Sequence, residues 1–488
     1  GYYDNWNSRV EIRFFTGDQT VSDNATDSTT ISPRTDNLVN ASNNKWTTDH
    51  KLLDTAYMVI RLEHDVDKFS SGLPNISTVI RGKKVLDLTN STTAGSFVVG
   101  TKYKILSLSN SGTATNFTAI GAASNTVGLE FRATGVGTGT GQARIFSWSQ
   151  NNALCLYDYL RDAKYGLGEI DDNILISSVI TAKGVCDQAV QIKPASDNVF
   201  QPRYTINGVV DTVGTLKSNI EIITGSMAGR LVYSGGKFEI HAGQYVAPAF
   251  TVDASQIVGD ITVQTKQSRR NVFNGVKGVF LSEDDNYVLA DYPAQISSTF
   301  AAQDGDPIYL DMALPFTTGN IRAQRLAKLA LLRSRQEEAI TIPCNLSALR
   351  FKIGDNINVN YPDFGYVAKI FEVVGYSLSL GTDGQIIVNV QAIETAANIW
   401  NWATSDEQVF LDGGTVELYD GKVAQPPASV AVAGDTFIAA DGTTNSFFNV
   451  TWPTSVDAFV DRYVVEWAIT EAAGSLVVGK SYEILTAG

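Results

Sequence analysis

A short segment that occurs twice constrains the architecture of this chain more than any other feature. The sequence GSFVVGTKYKIL at 95–106 matches GSLVVGKSYEIL at 474–485, and an alanine precedes both copies, at Ala94 and Ala473. Self-similarity of this kind indicates a structural unit that is used more than once. We therefore expect a small separate module, complete at 92–147 and beginning again at 474–488.

The first copy differs in composition from the residues on both sides of it. From Thr92 to Ser147 the chain carries almost no charge and is rich in Gly, Thr and Ser. Short apolar runs between turn residues are typical of strands. The sequence predicts an inserted all-β module with strands at 97–99, 103–106, 127–131 and 143–146.

The length of 488 residues exceeds what a single core supports, so we expect about three or more domains. With 41 glycines and many alternating patterns, the predicted class is mainly β and multidomain with some α structure. The expected parts are α+β, β-barrel-like hub domains, the insert, and the start of a fibronectin type III-like sandwich. Their boundaries are 1–91 plus 148–247 (first hub domain), 92–147 (insert), 248–403 (second hub domain), 404–427 (linker), 428–473 (partial sandwich) and 474–488 (second insert).

Periodicity places the elements of the two larger domains. Two glycines between alternating runs predict a tight hairpin centred on Gly235 and Gly236. A linker with Pro426 and Pro427, followed by a strand containing Trp452, is typical of a fibronectin type III domain. The predicted strands are 10–14, 57–62, 76–81, 357–359, 367–374 and 386–393, and the predicted helices are 153–160, 179–189, around 216–223, and 321–336.

The charge balance argues against two classes of partner. A formal net charge of -14 disfavours binding to nucleic acid or to an anionic membrane surface. The helix at 321–336 carries five basic residues, among them Arg325, and for these we favour a solvated or salt-bridged face over a nucleic-acid site. No apolar run is long enough to predict a transmembrane helix.

Searches for catalytic, cofactor and metal motifs give no candidate residue. The glycine-rich run at 135–141 lacks the Lys and Ser/Thr of a phosphate loop, so we expect a turn there. The acidic groups at 171–172 and 283–285 lack a calcium-loop pattern, and we expect a helix start and a hairpin tip. Cys155, Cys186 and Cys344 are too scattered for a disulfide framework. We predict no catalytic residue, no cofactor and no metal.

Several collinear segments resemble the hub region of the tip attachment protein J family of long-tailed phages. The resemblance spans roughly residues 1–403, and the insert at 92–147 is the main departure from it. The segments are HKLLDTAY at 50–57, LPNIS at 73–77, RGKKV at 81–85, NALCLYDYL at 152–160, YGLG at 165–168, GDITV at 259–263, SRRN at 268–271, AQRLA at 323–327 and LRSRQ at 332–336.

This resemblance implies a structural protein of the virion, at the distal end of the phage tail. It implies a homotrimer that contacts distal tail and hub proteins and the tape measure protein, with host receptor binding in regions beyond residue 488. DNA would pass through the lumen without specific binding, and we hypothesise that acidic residues line that lumen. Within the insert, the residues we expect to contact a partner are Asn125, Gly135, Thr138 and Thr140.

Two other functional classes stay open at this point. A tail-associated enzyme that degrades glycans or cell wall would need a cleft with two carboxylates, and such pairs leave no fixed sequence spacing. A bacterial surface adhesin built of β modules would need an export signal upstream of this segment.

Overall fold

A computed structural model describes residues 10–17, 47, 50, 52, 55–62, 72, 76–192, 199–266, 268, 272–381, 384–408 and 429–454. The chain divides into two compact units, Gly1–Phe410 and Leu411–Gly488. Several separate sheets account for most of the regular structure, which confirms the predicted β-rich multidomain class. The domain boundaries given above stay predictions.

The strands and helices of the first unit are numbered in chain order. The strands are β1 Val10–Thr16, β2 Ala56–Leu62, β3 Lys84–Thr93, β4 Lys102–Ser107, β5 Glu130–Arg132, β6 Gln142–Trp148, β7 Ala189–Gln191, β8 Phe200–Pro202, β9 Arg230–Ser234, β10 Lys237–His241, β11 Phe250–Val252, β12 Thr262–Gln264, β13 Gly275–Ser282, β14 Val288–Ile296, β15 Tyr309–Asp311, β16 Leu314–Thr318, β17 Ala339–Cys344, β18 Asn356–Tyr361, β19 Tyr366–Leu380 and β20 Ile386–Glu394. The helices are α1 Asn152–Arg161, α2 Ile176–Cys186, α3 Leu216–Gly225, α4 Ser298–Asp304 and α5 Asn320–Ser334.

Strands β3 to β6, at 84–148, form a sheet in the order β3-β6-β4-β5, here called the small β module. Its core is aromatic, with the rings of Phe97 and Tyr103 centred 4.9 Å apart and Phe117 and Phe131 5.5 Å apart. The predicted strands at 103–106 and 143–146 are confirmed. The one predicted at 127–131 is confirmed only at its end, as Glu130–Arg132.

The predicted strand at 97–99 is wrong. Phe97 is buried, but the next two valines are exposed, and the chain turns back at Val99 and Gly100. The apolar run therefore reflects one core side chain followed by an exposed turn. Residues 97–99 pair with no strand among the described residues, and without a partner an apolar run does not form a strand.

A second core, the central core, lies under α1, α2, α3 and α5. Asn151 begins α1 because its side chain accepts hydrogen bonds from the backbone N–H groups of Ala153 and Leu154. A Cβ on Gly166 would lie 1.8 Å from the Tyr159 carbonyl oxygen, so only glycine allows the chain to fold back on this helix. The predicted helices at 153–160, 216–223 and 321–336 are confirmed within a few residues.

A third core, the sheet core, lies against a six-stranded sheet in the order β11-β18-β19-β20-β17-β12. Strands β19 and β20 form its longest antiparallel pair, with Leu378 opposite Val388 and Leu380 opposite Ile386. The predicted strands at 357–359, 367–374 and 386–393 all lie in this sheet and are confirmed.

The remaining local predictions divide into confirmed and wrong ones. Gly235 and Gly236 have φ of 60° and 81° between β9 and β10, which confirms the tight hairpin. The predicted helix at 179–189 is confirmed as far as Cys186, but Ala189 begins strand β7. The predicted strand at 76–81 is wrong, because these residues pair with no strand in the part of the chain that the structure describes.

The second unit is described only at 429–454. There β21 Ala431–Ile438 pairs antiparallel with β22 Thr444–Thr451, from Ala431 opposite Thr451 to Ile438 opposite Thr444. The second copy of the repeat and the rest of the partial sandwich beyond residue 454 lie outside the described residues, so the fibronectin type III domain stays a prediction. No helix among the described residues is long and apolar enough to cross a membrane.

Candidate functional site

The small β module is continuous with the central core through its two longest strands. Val85, Leu86 and Leu88 of β3 and Phe146 of β6 are buried in the central core, not in the aromatic core of the module. The register of β3 against β6 shifts between Leu86 and Ser91, at the passage from one core to the other. Strand β6 thus contributes to both cores, with Phe146 in the central core and Ala143 in the aromatic core, whereas β3 contributes its first half to the central core and its second half is mostly exposed.

A group of paired charges joins the module to α1. Arg161, at the end of α1, contacts Glu130 of β5 at 2.7 Å and Asp171 at 2.7 Å. Lys102 of β4 contacts Glu130 at 2.8 Å, and Lys104 of the same strand forms an ion pair with Asp171. Every charge in this cluster therefore has at least one opposite charge in contact with it, as partly buried charges require.

The pKa values of the two carboxyl groups follow from these contacts. Burial by itself would raise the pKa of Glu130, but hydrogen bonds from Lys102 and Arg161 outweigh burial and lower it. The same balance lowers the pKa of Asp171, where Lys104 and the Tyr157 hydroxyl donate the hydrogen bonds. Both groups are consequently ionised at neutral pH and hold the module to α1 electrostatically.

A second ion pair lies on the segment that leads into β3. Lys83 Nζ contacts the carboxylates of Asp158 on α1 and of Asp162, the residue directly after α1, each at 2.6 Å. Burial tends to raise the pKa of Asp162, but hydrogen bonds from Lys83 and from the backbone N–H groups of Tyr165 and Lys164 lower it to about 2. The segment that leads into β3 is thus attached to α1, the same helix to which the charge cluster attaches β4 and β5.

The loops at one end of the module expose apolar side chains. Val98, Val99 and Val136 are all more than half exposed. Backbone hydrogen bonds from Gly95 N to Val136 O, and from Gly100 N to Ala133 O, hold these loops side by side. The end therefore presents a small apolar surface on an ordered frame.

The four predicted contact residues occupy different positions in the module. Asn125 accepts hydrogen bonds from the backbone N–H groups of Phe117 and Thr118, so its side chain stabilises a short 3-10 helix. Thr140 Oγ1 accepts from Asn110 N and donates to Thr113 O, which also gives it an internal structural role. Gly135 is half-buried, and Thr138 is exposed. Their proposed partner contacts stay predictions.

The acidic groups that the sequence singled out have structural positions. Asp171 begins a three-residue 3-10 helix. Its carboxylate also pairs with Arg161 and Lys104, and the sequence did not predict these contacts. The group at 283–285 lies in the turn between β13 and β14, as predicted. Among the described residues no cluster of three or more His, Cys, Asp or Glu side chains could hold a metal ion.

The free end of the β19–β20 hairpin is an uncovered apolar surface, here called the hairpin end. Val388 is fully buried in the sheet core, and residues opposite each other in an antiparallel pair point to the same side. Leu378 opposite Val388 is nevertheless 60% exposed, and Leu380 opposite Ile386 is 77% exposed. The apolar face of this hairpin thus extends beyond the core that covers its base.

The basic residues of α5 are less exposed than the sequence predicts. Lys328, Arg333 and Arg335 pair with acidic residues, which confirms a salt-bridged face for these three. Arg325 is instead buried among the elements around α5 and contacts no carboxylate in the described part of the chain. One sequence signal for its burial exists, because Arg325 lies four residues before the buried Leu329, on the same side of the helix.

Comparison with known proteins finds similarity to components of phage tails. No protein-family model matches the chain. The baseplate hub protein pb3 of Escherichia phage T5 is 22% identical over 352 residues, which cover 67% of this chain and 30% of that protein. The chain thus spans less than a third of the length of this relative.

Solved structures that resemble the chain do so at low TM-scores. A tail protein from Neisseria meningitidis MC58 has a TM-score of 0.33 and 12% identity, and covers 54% of this chain and 77% of its own. A chain from the virion of a native gene transfer agent particle has a TM-score of 0.33 and 13% identity, with 67% and 78% covered. A 43 kDa tail protein of prophage MuSo2 from Shewanella oneidensis has a TM-score of 0.28 and 12% identity, with 64% and 98% covered.

Proposed function

We propose that this chain is a structural part of a phage tail and contributes to the hub at the distal tip. The observation that carries the proposal is the 22% identity over 352 residues with a baseplate hub protein. The collinear segments that resemble the hub region of tip attachment proteins support the same role. The chain acts by holding neighbouring proteins in place, without a catalytic step.

The proposed partners are other proteins of the tail. The chain would form a homotrimer around the tail axis and contact distal tail proteins and the end of the tape measure protein. Receptor binding would belong to regions beyond residue 488, and DNA would pass without specific contacts. The net charge of -14 supports the last point, because an acidic surface repels phosphates.

The hairpin end supports an assembly role. Leu378, Leu380 and Ile386 form part of an exposed apolar surface at the end of a long β pair, and a surface of this kind is typical of a contact site. We propose a second copy of this chain as its occupant, because copies related by an axis present the same surface at fixed spacing.

A substitution at the hairpin end tests this contact. We expect L380D to shift the full chain from trimer towards monomer in size-exclusion chromatography with light scattering, because a buried unpaired carboxylate is unfavourable. V98D adds the same charge at the exposed end of the small β module and serves as the matched control. If both variants keep the same oligomeric state as the unmodified chain, the hairpin end is not the subunit contact.

An activity assay separates the structural role from the enzymatic alternative. We expect the purified chain to release no soluble sugars or peptides from peptidoglycan or capsular polysaccharide. Release above that of a heat-denatured sample would contradict the non-catalytic assignment.

A further inference from the structure

A cavity of about 310 Å³ lies beside α5 in the first unit. Its lining comes from four parts of the chain: strand β7, the segment just after β8, helix α5, and the segment that follows β20. Arg325 and Lys328 of α5 line one part, Arg203 another, and Trp400 and Trp402 a third. The cavity is at the small end of the range that is typical of ligand sites.

The cavity is lined by positive charge without matching negative charge. Arg203, Arg325 and Lys328 line it, and none of the described lining residues is acidic. Lys328 is paired with Asp406 at 2.6 Å. Arg203 Nε donates to the neutral side chain of Gln188 at 3.0 Å, and no carboxylate in the described part of the chain pairs with Arg203. Among the described residues, no carboxylate therefore compensates the guanidinium groups of Arg203 and Arg325.

Arg325 is the least compensated of these cations. Its side chain is only 5% exposed, and one terminal nitrogen, Nη2, donates to the backbone carbonyls of Pro202 and Arg203. The other, Nη1, is buried and has no hydrogen-bond partner among the residues that the structure describes. A buried unpaired charge is costly, and an arginine does not lose its proton to escape that cost.

The electrostatics of Arg325 agree with this geometry. Burial, followed by the nearby positive charge of Arg322, lowers the pKa of Arg325 to about 9, which leaves it charged at neutral pH. An anion in the cavity would offset the repulsion from Arg322.

The rest of the lining favours an anion that carries a flat apolar body. Trp400 and Trp402 contribute aromatic surface, and the indole N–H of Trp402 is a second buried donor that has no partner in the described part of the chain. A guanidinium donates two parallel hydrogen bonds to a planar carboxylate, and indole rings pack against other rings.

We infer that this cavity binds a small organic acid, a carboxylate carried on a single six-membered ring, with Arg325 and Arg203 as the carboxylate contacts. The tryptophans contact the ring, and the volume of about 310 Å³ is large enough for a ligand of this size. Nothing in this inference depends on where the chain lies in a particle.

Calorimetric titration of the full chain tests the inference with four matched probes. Benzoate and glucuronate carry the carboxylate on an aromatic ring and on a sugar ring. Benzyl alcohol and glucose are their neutral counterparts. We expect at least one acid to bind at one site per chain, at least about tenfold more tightly than its neutral counterpart, because charge-assisted hydrogen bonds to a buried group are lost without the carboxylate. The acid that binds more tightly identifies the ring.

Variants locate the binding site. R325M should weaken binding of the preferred acid at least about tenfold, and R350Q, which removes an equal charge from an exposed arginine against Phe250 and Phe351, should leave it unchanged. If R325M does not fold by circular dichroism, the half-exposed Arg203 takes its place as R203Q. The inference is overturned if neither acid binds, if the neutral probes bind equally well, if inorganic phosphate binds more tightly than both acids, or if the cavity variant that folds binds the acid unchanged.

Discussion

Arg161 and Arg325 are both arginines on helices of the same unit, and their surroundings differ in one decisive respect. Arg161 lies between the carboxylates of Glu130 and Asp171, each 2.7 Å away. Arg325 is buried more deeply and contacts only backbone carbonyl oxygens. The first cation is compensated within the chain, and the second is not compensated within the part that the structure describes.

The difference separates a structural charge from a charge available to a ligand. A paired, partly buried cation contributes to folding, and its removal leaves the partner carboxylates without compensation. An unpaired buried cation opposes folding unless something outside the chain supplies the missing anion. On this basis, the ion cluster at α1 fixes the small β module in place, and the cavity beside α5 is a site for a ligand.

The largest expected effect is the loss of stability when Arg161, the paired arginine, is replaced. R161M should lower the local free energy of opening of α1 and β4 by about 2–3 kcal/mol, because Glu130 and Asp171 each lose one cationic partner and keep a lysine as the other. Hydrogen exchange of the amides in these two elements measures the change. R350M is the matched control, since Arg350 is exposed and contacts only the rings of Phe250 and Phe351. If the amides of α1 and β4 are equally protected from exchange in R161M and R350M, the cluster does not have this structural role.

A smaller effect should depend on pH. The pKa of Asp162 is lowered from 3.8 to about 2, so its ionised form stabilises the folded chain above pH 3.8 and this contribution is lost as the pH falls towards 2. D162N should therefore melt at a lower temperature than the unmodified chain at neutral pH. After allowance for solvent screening, the expected loss in the free energy of unfolding is about 1 kcal/mol. The two melting curves should converge near pH 2. A difference that persists unchanged at low pH would show that the carboxylate charge is not responsible.

The smallest change in stability is expected when Arg325 is replaced. R325M should change stability by less than about 1 kcal/mol, because the lost hydrogen bonds to two carbonyls are offset by removal of an uncompensated buried charge. Calorimetric melting of R325M beside R161M measures this directly. If R325M loses as much stability as R161M, the two arginines do not differ in the way described above.

Local patterns in the sequence predicted those elements whose stabilising contacts are close in the chain. Helix α1 follows from Asn151 as a capping residue and from the apolar spacing of 153–160. The β9–β10 hairpin follows from Gly235 and Gly236, because only positive φ values allow so tight a turn. In these cases the residues that decide the structure are within one or two turns of each other.

Predictions failed where the deciding contact is distant in the sequence. Residues 76–81 alternate like a strand, but no neighbouring strand among the described residues pairs with them. The basic residues on α5 follow helical periodicity, but the burial of Arg325 comes from Pro202 and Arg203, more than a hundred positions earlier. The ion cluster at Arg161 was missed for the same reason, since Glu130 and Asp171 belong to separate elements.

Imaging of the intact particle tests the central proposal, that the chain is a structural part of a phage tail hub, most directly. A cryo-electron microscopy reconstruction of the tail should place the chain at the distal end, in three copies around the axis, with the hairpin end of one copy against the next. Density for the chain in the head or in side fibres, or its absence from the purified particle, would contradict the proposal.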